Sequence, residues 1–232
     1  MPEQDVIYQS HAEGYDRLME REDYQGNLLP ALQSIVSMQG KDLIDMGTGT
    51  GRFPRMLCGL ATQILALDKS MGMLRVARSK LRAQATGHWE LALSDNRRMP
   101  VGDRVADVVL AGWTFGHATV WYGDRWREEI GPAIGEMMRL LRPGGTGIIC
   151  ETLGTGSLKP AAPTETLAAY YHYLESERSF SRMEVRTDYQ FSTFQEAIET
   201  IRFFFGDELA ARVEDNRWKI VPEWTGIWWR GK

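Results

Sequence analysis

The chain predicts an α/β fold: an open, mainly parallel sheet with helices on both faces. Three observations predict it. Short apolar runs at 42–46, 63–67, 89–93, 106–111 and 146–150 alternate with helix-length segments, the pattern of strands joined by crossover helices. The first run (Leu43, Ile44) ends in a carboxylate, Asp45, and enters a loop with glycines at alternate positions, Gly47, Gly49 and Gly51. Glycine has no Cβ to hold a ligand off and accepts positive φ, so the loop suits close approach of a ligand to backbone. Finally, 232 residues are enough to bury a core without a staple.

Residues 5–38 read as helical, with Leu18, Leu28, Leu32 and Ile35 among the apolar positions and Gly26 and Pro30 as breaks. The helix after the glycine loop covers about 52–60, with Pro54 tolerated in its first turn. Further helices follow at about 71–85 and 124–142, the second stopped by Arg142-Pro143-Gly144-Gly145. Beyond 151, Gly154 to Pro163 is a loop, 164–176 a tyrosine-rich helix, and 185–191 alternates like a strand. Ser192 and Gln195 form a capping-box pattern for a helix to about Phe205. A helix at 206–215 and a strand from Ile220 to Trp229 complete the chain. Repeats, low-complexity tracts and dividing linkers are absent, so 1–232 reads as one domain.

Composition narrows the partners. A formal charge of −4 and a pI near 5.7 give no basic footprint for nucleic acid. No window approaches the ~20 apolar residues of a membrane span. Cys58 and Cys150 supply neither a disulfide framework nor a metal-ligand spacing, which points to a reducing compartment. The first residues, Met-Pro-Glu-Gln-Asp, hold no basic segment or apolar run, so no secretion signal is expected. The expectation is a cytoplasmic monomer or homodimer with a small-molecule partner and without a metal, a membrane or nucleic acid.

The glycine spacing narrows the ligand. A dinucleotide site asks for Gly-x-Gly-x-x-Gly, but Arg52 holds the third glycine's position and Gly51 comes one residue early. A nucleoside-like ligand suits this loop better than a pyrophosphate. Strand ends along one edge of an open parallel sheet line the crevice where ligands bind. Asp68 closes the second strand, where a carboxylate can accept both hydroxyls of a ribose. Asp95 follows the third and could accept an adenine amine, with Asn96 beside it. The plainer alternative is that each Asp caps a helix.

Taken in order, Asp45-Met46-Gly47-Thr48-Gly49-Thr50-Gly51, Asp68, Asp95-Asn96 with Met99-Pro100, and Leu140-Leu141-Arg142-Pro143-Gly144-Gly145 resemble the class I S-adenosylmethionine-dependent methyltransferases of the small-molecule type. The resemblance spans roughly 40–151 and implies a Rossmann-like seven-stranded sheet with an antiparallel last strand. It implies a division into an N-terminal helical cap (1–40), a cofactor-binding core (41–151) and an acceptor-pocket segment with the C-terminal strands (152–232). It also implies S-adenosyl-L-methionine as cofactor and S-adenosyl-L-homocysteine as product. The positions implied to touch the cofactor are Asp45, Gly47, Thr48, Gly49, Gly51, Asp68, Lys69, Asp95 and Asn96. Tyr15 would come from the N-terminal helix, and Gly112 and Trp113 from the end of the fourth strand. The implied reaction is methyl transfer to an oxygen, nitrogen or carbon of a small molecule. The alternatives are a protein or RNA methyltransferase, a non-catalytic scaffold that binds the cofactor, and, third, a nicotinamide oxidoreductase.

An acceptor that must lose a proton calls for a base. His117, just past the fourth strand, is the first candidate, and His172 in the tyrosine-rich helix the second; a structural or solvent-facing histidine is the competing reading of each. The Ala-Gly-Trp-Thr after the fourth strand lacks the Asn/Asp-Pro-Pro-aromatic run of adenine or cytosine amino-methyltransferases. Neither cysteine is placed as a cytosine C5 nucleophile, and both read as core thiols. Trp228 and Trp229 must point to opposite sheet faces. Arg75, Arg78, Lys80 and Arg82 read as a solvated helix face, and Arg186 with Asp188 as a structural pair.

Overall fold

The apolar runs become strands, and the segments between them become the helices that cross over. The structure is a computed structural model, in which residues 12–84 and 86–232 are described. In chain order the elements begin with α1 (Ala12–Met19), α2 (Leu28–Ile35), β1 (Asp42–Met46), α3 (Arg52–Leu57), β2 (Gln63–Asp68) and α4 (Met71–Gln84). They continue with β3 (His88–Leu93), β4 (Ala106–Gly112), α5 (Ala118–Trp121), α6 (Trp126–Leu140), β5 (Leu141–Thr152) and α7 (Glu165–Ser176). The C-terminal part holds β6 (Ser181–Arg186), β7 (Tyr189–Gln190), α8 (Phe194–Phe205), α9 (Asp207–Asp215), β8 (Ile220–Val221) and β9 (Trp224–Gly231). A 3-10 turn, Phe115–His117, precedes α5.

Seven strands form one sheet in the order β3-β2-β1-β4-β5-β9-β6. The first five pair in parallel, and β9 runs antiparallel to both neighbours. Strand order reverses at β1, which has β2 on one side and β4 on the other. That reversal opens a crevice at the carboxyl ends of the strands. Both faces are covered. Ile44, Met46, Val109, Ala111, Ile149 and Trp228 pack with α6 and α7, while Leu43, Val108, Leu110, Ile148 and Ile227 pack with α2 and α3. Neighbouring strand residues therefore serve opposite cores, as a sheet buried on both sides requires. Trp228 is wholly buried in the first core and Trp229 packs on the second.

Five local expectations shift. The N-terminal helix beyond residue 11 is two helices, and Pro30 is not the break: it sits in the first turn of α2, where its missing N–H costs nothing. The break is the turn at Asp23 and Gly26, both with positive φ, where the Asp23 carboxylate accepts the N–H groups of Asn27 and Leu28. The helical reading of 5–11, and Ala85 at the end of the expected 71–85 helix, lie outside the described residues. Arg142-Pro143-Gly144-Gly145 makes no free turn, because β5 begins at once and the pairing with β4 shifts register there. The expected 185–191 strand divides between the main sheet (β6) and a two-stranded ribbon of β7 and β8. The last strand divides likewise at Pro222, which has no N–H to continue a ladder. The capping box is Thr193 and Glu196, one residue later than Ser192 and Gln195: Thr193 Oγ1 accepts the Glu196 N–H, and Glu196 Oε2 accepts that of Ser192.

Candidate functional site

A cavity of about 670 Å³ lies at the carboxyl ends of β1, β2, β3 and β4. The glycine loop is pinned to β2, since the Gly47 and Thr48 N–H groups both donate to Leu67 O, at 2.8 and 2.9 Å. All three glycines have positive φ (78°, 55° and 87°), yet they serve different ends. A Cβ on Gly47 would lie 2.3 Å from Thr114 Oγ1, and one on Gly51 would press on Ala77 at 3.2 Å. A Cβ on Gly49 would meet nothing within 4 Å. Gly47 thus admits a side chain from beyond β4, Gly51 lets α3 pack on α4 from outside the cavity, and Gly49 keeps open space clear.

The strand-end acids differ in the same way. Asp45 is 1% exposed and neither carboxylate oxygen has a hydrogen-bond partner. Burial pushes its carboxyl up to about 7, with the Thr48 side chain opposing and the Asp68 charge adding. Asp68 is anchored: Oδ2 accepts the Gly49 N–H at 2.9 Å and Oδ1 the Ser70 N–H at 2.7 Å. Burial raises its carboxyl too, against those donors. Each oxygen keeps lone-pair capacity for a further donor. Asp95 is engaged differently. The Arg97 guanidinium grips both its oxygens and also pairs with Glu129, so Arg97 holds the Asp95 carboxyl below its ordinary value. Its neighbour Asn96 lines the cavity with a buried, unpartnered Oδ1.

The facing wall comes from the segment after β4. Gly112 lines the cavity, and its missing side chain makes room for the Phe53 ring, 2.5 Å from where a Cβ would stand. Trp113 adopts φ 49°, uncommon for a bulky residue. Its N–H donates to Cys150 O at 2.7 Å, and its ring stacks on Phe53 at 6.0 Å. His117 lines the cavity from the 3-10 turn and stacks on Trp121 at 5.1 Å and 25°. Lys69 Nζ stands 3.8 Å from the centre of the same Trp121 ring, a cation–π contact. Tyr15 lines the cavity from α1 and meets Phe204 edge-on, and burial raises its hydroxyl pKa. His172 is exposed on α7 and stands away from the cavity. Cys58 and Cys150 are buried and free. Arg78 and Arg82 are exposed, Lys80 pairs with Asp16 and Glu20, and Arg75 reaches the cavity rim. Arg186 grips Asp188.

Sequence reading missed Arg52. It lines the cavity with its guanidinium 4.4 Å from the Trp113 ring centre and 2.6 Å from a Glu22 oxygen, in a pair whose Glu22 side chain is 2% exposed. A signal was present: Arg52 opens α3, and a cation at a helix N-terminus is misplaced against the dipole unless an acid compensates. Glu151 was missed as well. It lies behind the cavity wall, where its Oε1 accepts the Gly116 N–H at 2.8 Å.

These residues can be tested against a nucleoside with an amino-acid tail. Such a ligand brings hydroxyl, amine and ammonium donors. The cavity offers the Asp68 carboxylate, the unpartnered oxygens of Asp45, Thr48 and Asn96, and cleared space at Gly49. Buried acceptors without donors are rare in folded proteins, and here they gather in one place. The fit is good. Among the described residues no cluster could hold a metal ion, and no helix is long and apolar enough to cross a membrane.

Comparison with known proteins points the same way. Residues 44–149 match the family described as a methyltransferase domain. The malonyl-[acyl-carrier protein] O-methyltransferase of Serratia marcescens is 34% identical over 123 residues, 53% of this chain and 42% of that protein. The demethylmenaquinone methyltransferase of Clavibacter sepedonicus is 29% identical over 119 residues, 52% of this chain and 44% of that protein. The chain spans about half the length of the curated relatives it matches. The solved structure of YcgJ from Bacillus subtilis shares the fold with a TM-score of 0.56 at 13% identity, covering 90% of this chain and 98% of that one.

Proposed function

We propose that this chain, which belongs to the class I S-adenosylmethionine-dependent methyltransferases, transfers methyl from S-adenosylmethionine to an oxygen, nitrogen or carbon of a small molecule. One observation carries the reading. Two carboxylates, the buried Asp45 and the half-buried Asp68, lie at the carboxyl ends of adjacent parallel strands beside a glycine with open space before it. When bound, S-adenosylmethionine supplies a methyl on a positively charged sulfur, a leaving group already activated.

The chain's own residues then have mainly to hold and orient. Asp68 receives ribose hydroxyls while staying tied to the Gly49 and Ser70 N–H groups. Asp45, the one strand-end acid without a donor, receives the ammonium of the methionyl tail. Asn96 meets the adenine edge in place of Asp95, whose carboxylate Arg97 already occupies. Tyr15 and Trp113 close over the ligand. His117 takes or orients the acceptor's proton where the acceptor has one to lose. The whole chain acts as one unit: 41–151 holds the cofactor, and α1, α2 and the residues after 152 cover the acceptor. The relatives named for O-methylation of malonyl-[acyl-carrier protein] and for demethylmenaquinone support a small organic acceptor group.

Calorimetry decides the cofactor. Micromolar binding of S-adenosylhomocysteine with none of NADH is expected, and the reverse overturns the reading. Release of S-adenosylhomocysteine when S-adenosylmethionine is offered with a panel of carboxylic acids, phenols and amines tests catalysis. Tight binding with no turnover on any acceptor would leave a binding scaffold.

A further inference from the structure

The segment after β4 makes one wall of the cavity, and a buried group that never touches the cavity holds it from behind. Glu151, near the carboxyl end of β5, is 3% exposed and absent from the cavity lining. Its Oε1 accepts the Gly116 N–H at 2.8 Å, and the Tyr170 hydroxyl reaches the same oxygen at 3.5 Å. The fit is close enough to dictate a residue: a Cβ on Gly116 would stand 2.8 Å from Glu151 Oε2. Thr119 Oγ1 donates to Gly116 O at 2.7 Å and closes the turn from its other side. The next residue along is His117, whose ring lies on Trp121 with Lys69 Nζ on that same ring. Lys69 belongs to the β2–α4 side of the cavity. The stack therefore joins its two walls, and Glu151 is the anchor of one of them.

We propose that Glu151 is a positioning residue: through the Gly116 N–H it sets the Phe115–His117 turn, and so holds the His117–Trp121–Lys69 stack across the cavity. The inference stands whatever the ligand is, because it concerns the wall alone. Among the described residues no cation pairs with this carboxyl. The groups facing it as donors are the Phe115 and Gly116 N–H of the turn and the Tyr170 hydroxyl of α7, while the nearby Tyr171 hydroxyl donates to Thr152 O. Burial pushes the Glu151 carboxyl up to about 8 against those donors. An ionised carboxylate accepts from N–H groups more strongly than a neutral acid, so the turn is held more firmly above that pH than below it.

The chain has four histidines, few enough to assign by nuclear magnetic resonance with His117→Gln as the reference. Stacked on an indole, the His117 ring protons are displaced upfield. In the wild type this displacement should grow in a step near pH 8. Glu151→Gln, which keeps an acceptor oxygen but cannot ionise, should retain the displacement and lose the step. Glu151→Ala should lose the displacement while circular dichroism stays unchanged. If Glu151→Ala does not fold, Glu151→Gln and Gly116→Ala decide by the same readouts, and Gly116→Ala should also lose the displacement. A His117 signal indifferent to all three variants, or a step that survives Glu151→Gln, would overturn the proposal.

Discussion

The two walls of the cavity are built by different means. On the strand-end wall the groups are held by backbone of the loops at the strand ends or left open: Asp68 by the Gly49 and Ser70 N–H groups, a contact that also pins Gly49, and Asp45 by nothing. The facing wall hangs on partners far away in sequence. Its Trp113 ring lies against Arg52, which Glu22 neutralises from thirty positions earlier, and its Gly116 is held by Glu151, thirty-five positions later. The first wall is local geometry and the second is buried charge. Damage to the first should therefore appear in ligand affinity, and damage to the second in stability.

The largest expected effect breaks the distant wall. Glu22→Ala leaves the Arg52 guanidinium without its partner in a buried site, a loss of about 3–5 kcal/mol that urea unfolding would measure. An unchanged midpoint would mean that the wall does not depend on this pair. Gly49→Val strikes the local wall, placing a side chain in the cleared space at positive φ. S-adenosylhomocysteine affinity should fall beyond detection by calorimetry, with the fold retained. Asp68→Ala is milder. It should cost about 1–3 kcal/mol of binding, roughly ten- to a hundredfold in Kd, with melting temperature nearly unmoved.

Buried acids on both sides make a pH signature. Asp45 is raised to about 7 and Glu151 to about 8, and Glu223, buried between β8 and β9 where its N–H donates to Asp188, is raised as well, each by burial. A carboxyl raised in the folded state is stabilising below its unfolded pKa of about 4, and that contribution is lost as pH rises through the folded value. The melting temperature should therefore fall between about pH 4 and pH 8. Glu223→Gln should flatten the upper part of that fall, and an unaltered profile would remove Glu223 as a source. The smallest effect is a control remote from both walls. Thr193→Ala removes the α8 cap at about 1 kcal/mol of stability and should leave S-adenosylhomocysteine affinity as it was.

Much of the strand-end wall was legible because its signals are short-range. An apolar run that ends in an acid, then glycines at alternate positions, dictates a strand, a turn and a cleared backbone within about ten residues. Asp45 and Gly49 line the cavity, as do Asp68 and Asn96 at the ends of the next two strands. Gly51 does not, because a glycine wanted for positive φ and one wanted for helix packing look alike in sequence. His117 reached the cavity and His172 did not. The first follows a strand at the crevice edge, whereas a histidine within a helix can face any direction. The β6–β7 division escaped because alternation continues across the corner, and the sequence carries no mark of where one sheet hands over to another.

The sequence by itself determined the strand order's raw material, the acids at the strand ends and the cofactor class they suit, since each depends on neighbours a few positions away. Only the tertiary structure decided which of those acids stays free. It left Asp45 without a donor, gave Asp95 to Arg97, and seated Arg52 on Glu22 and Gly116 on Glu151. The physical reason is burial. A charged group keeps its ordinary chemistry in water, but in the interior it must find a partner or take up a proton, and that partner is set by the packing of segments the chain brings together from afar.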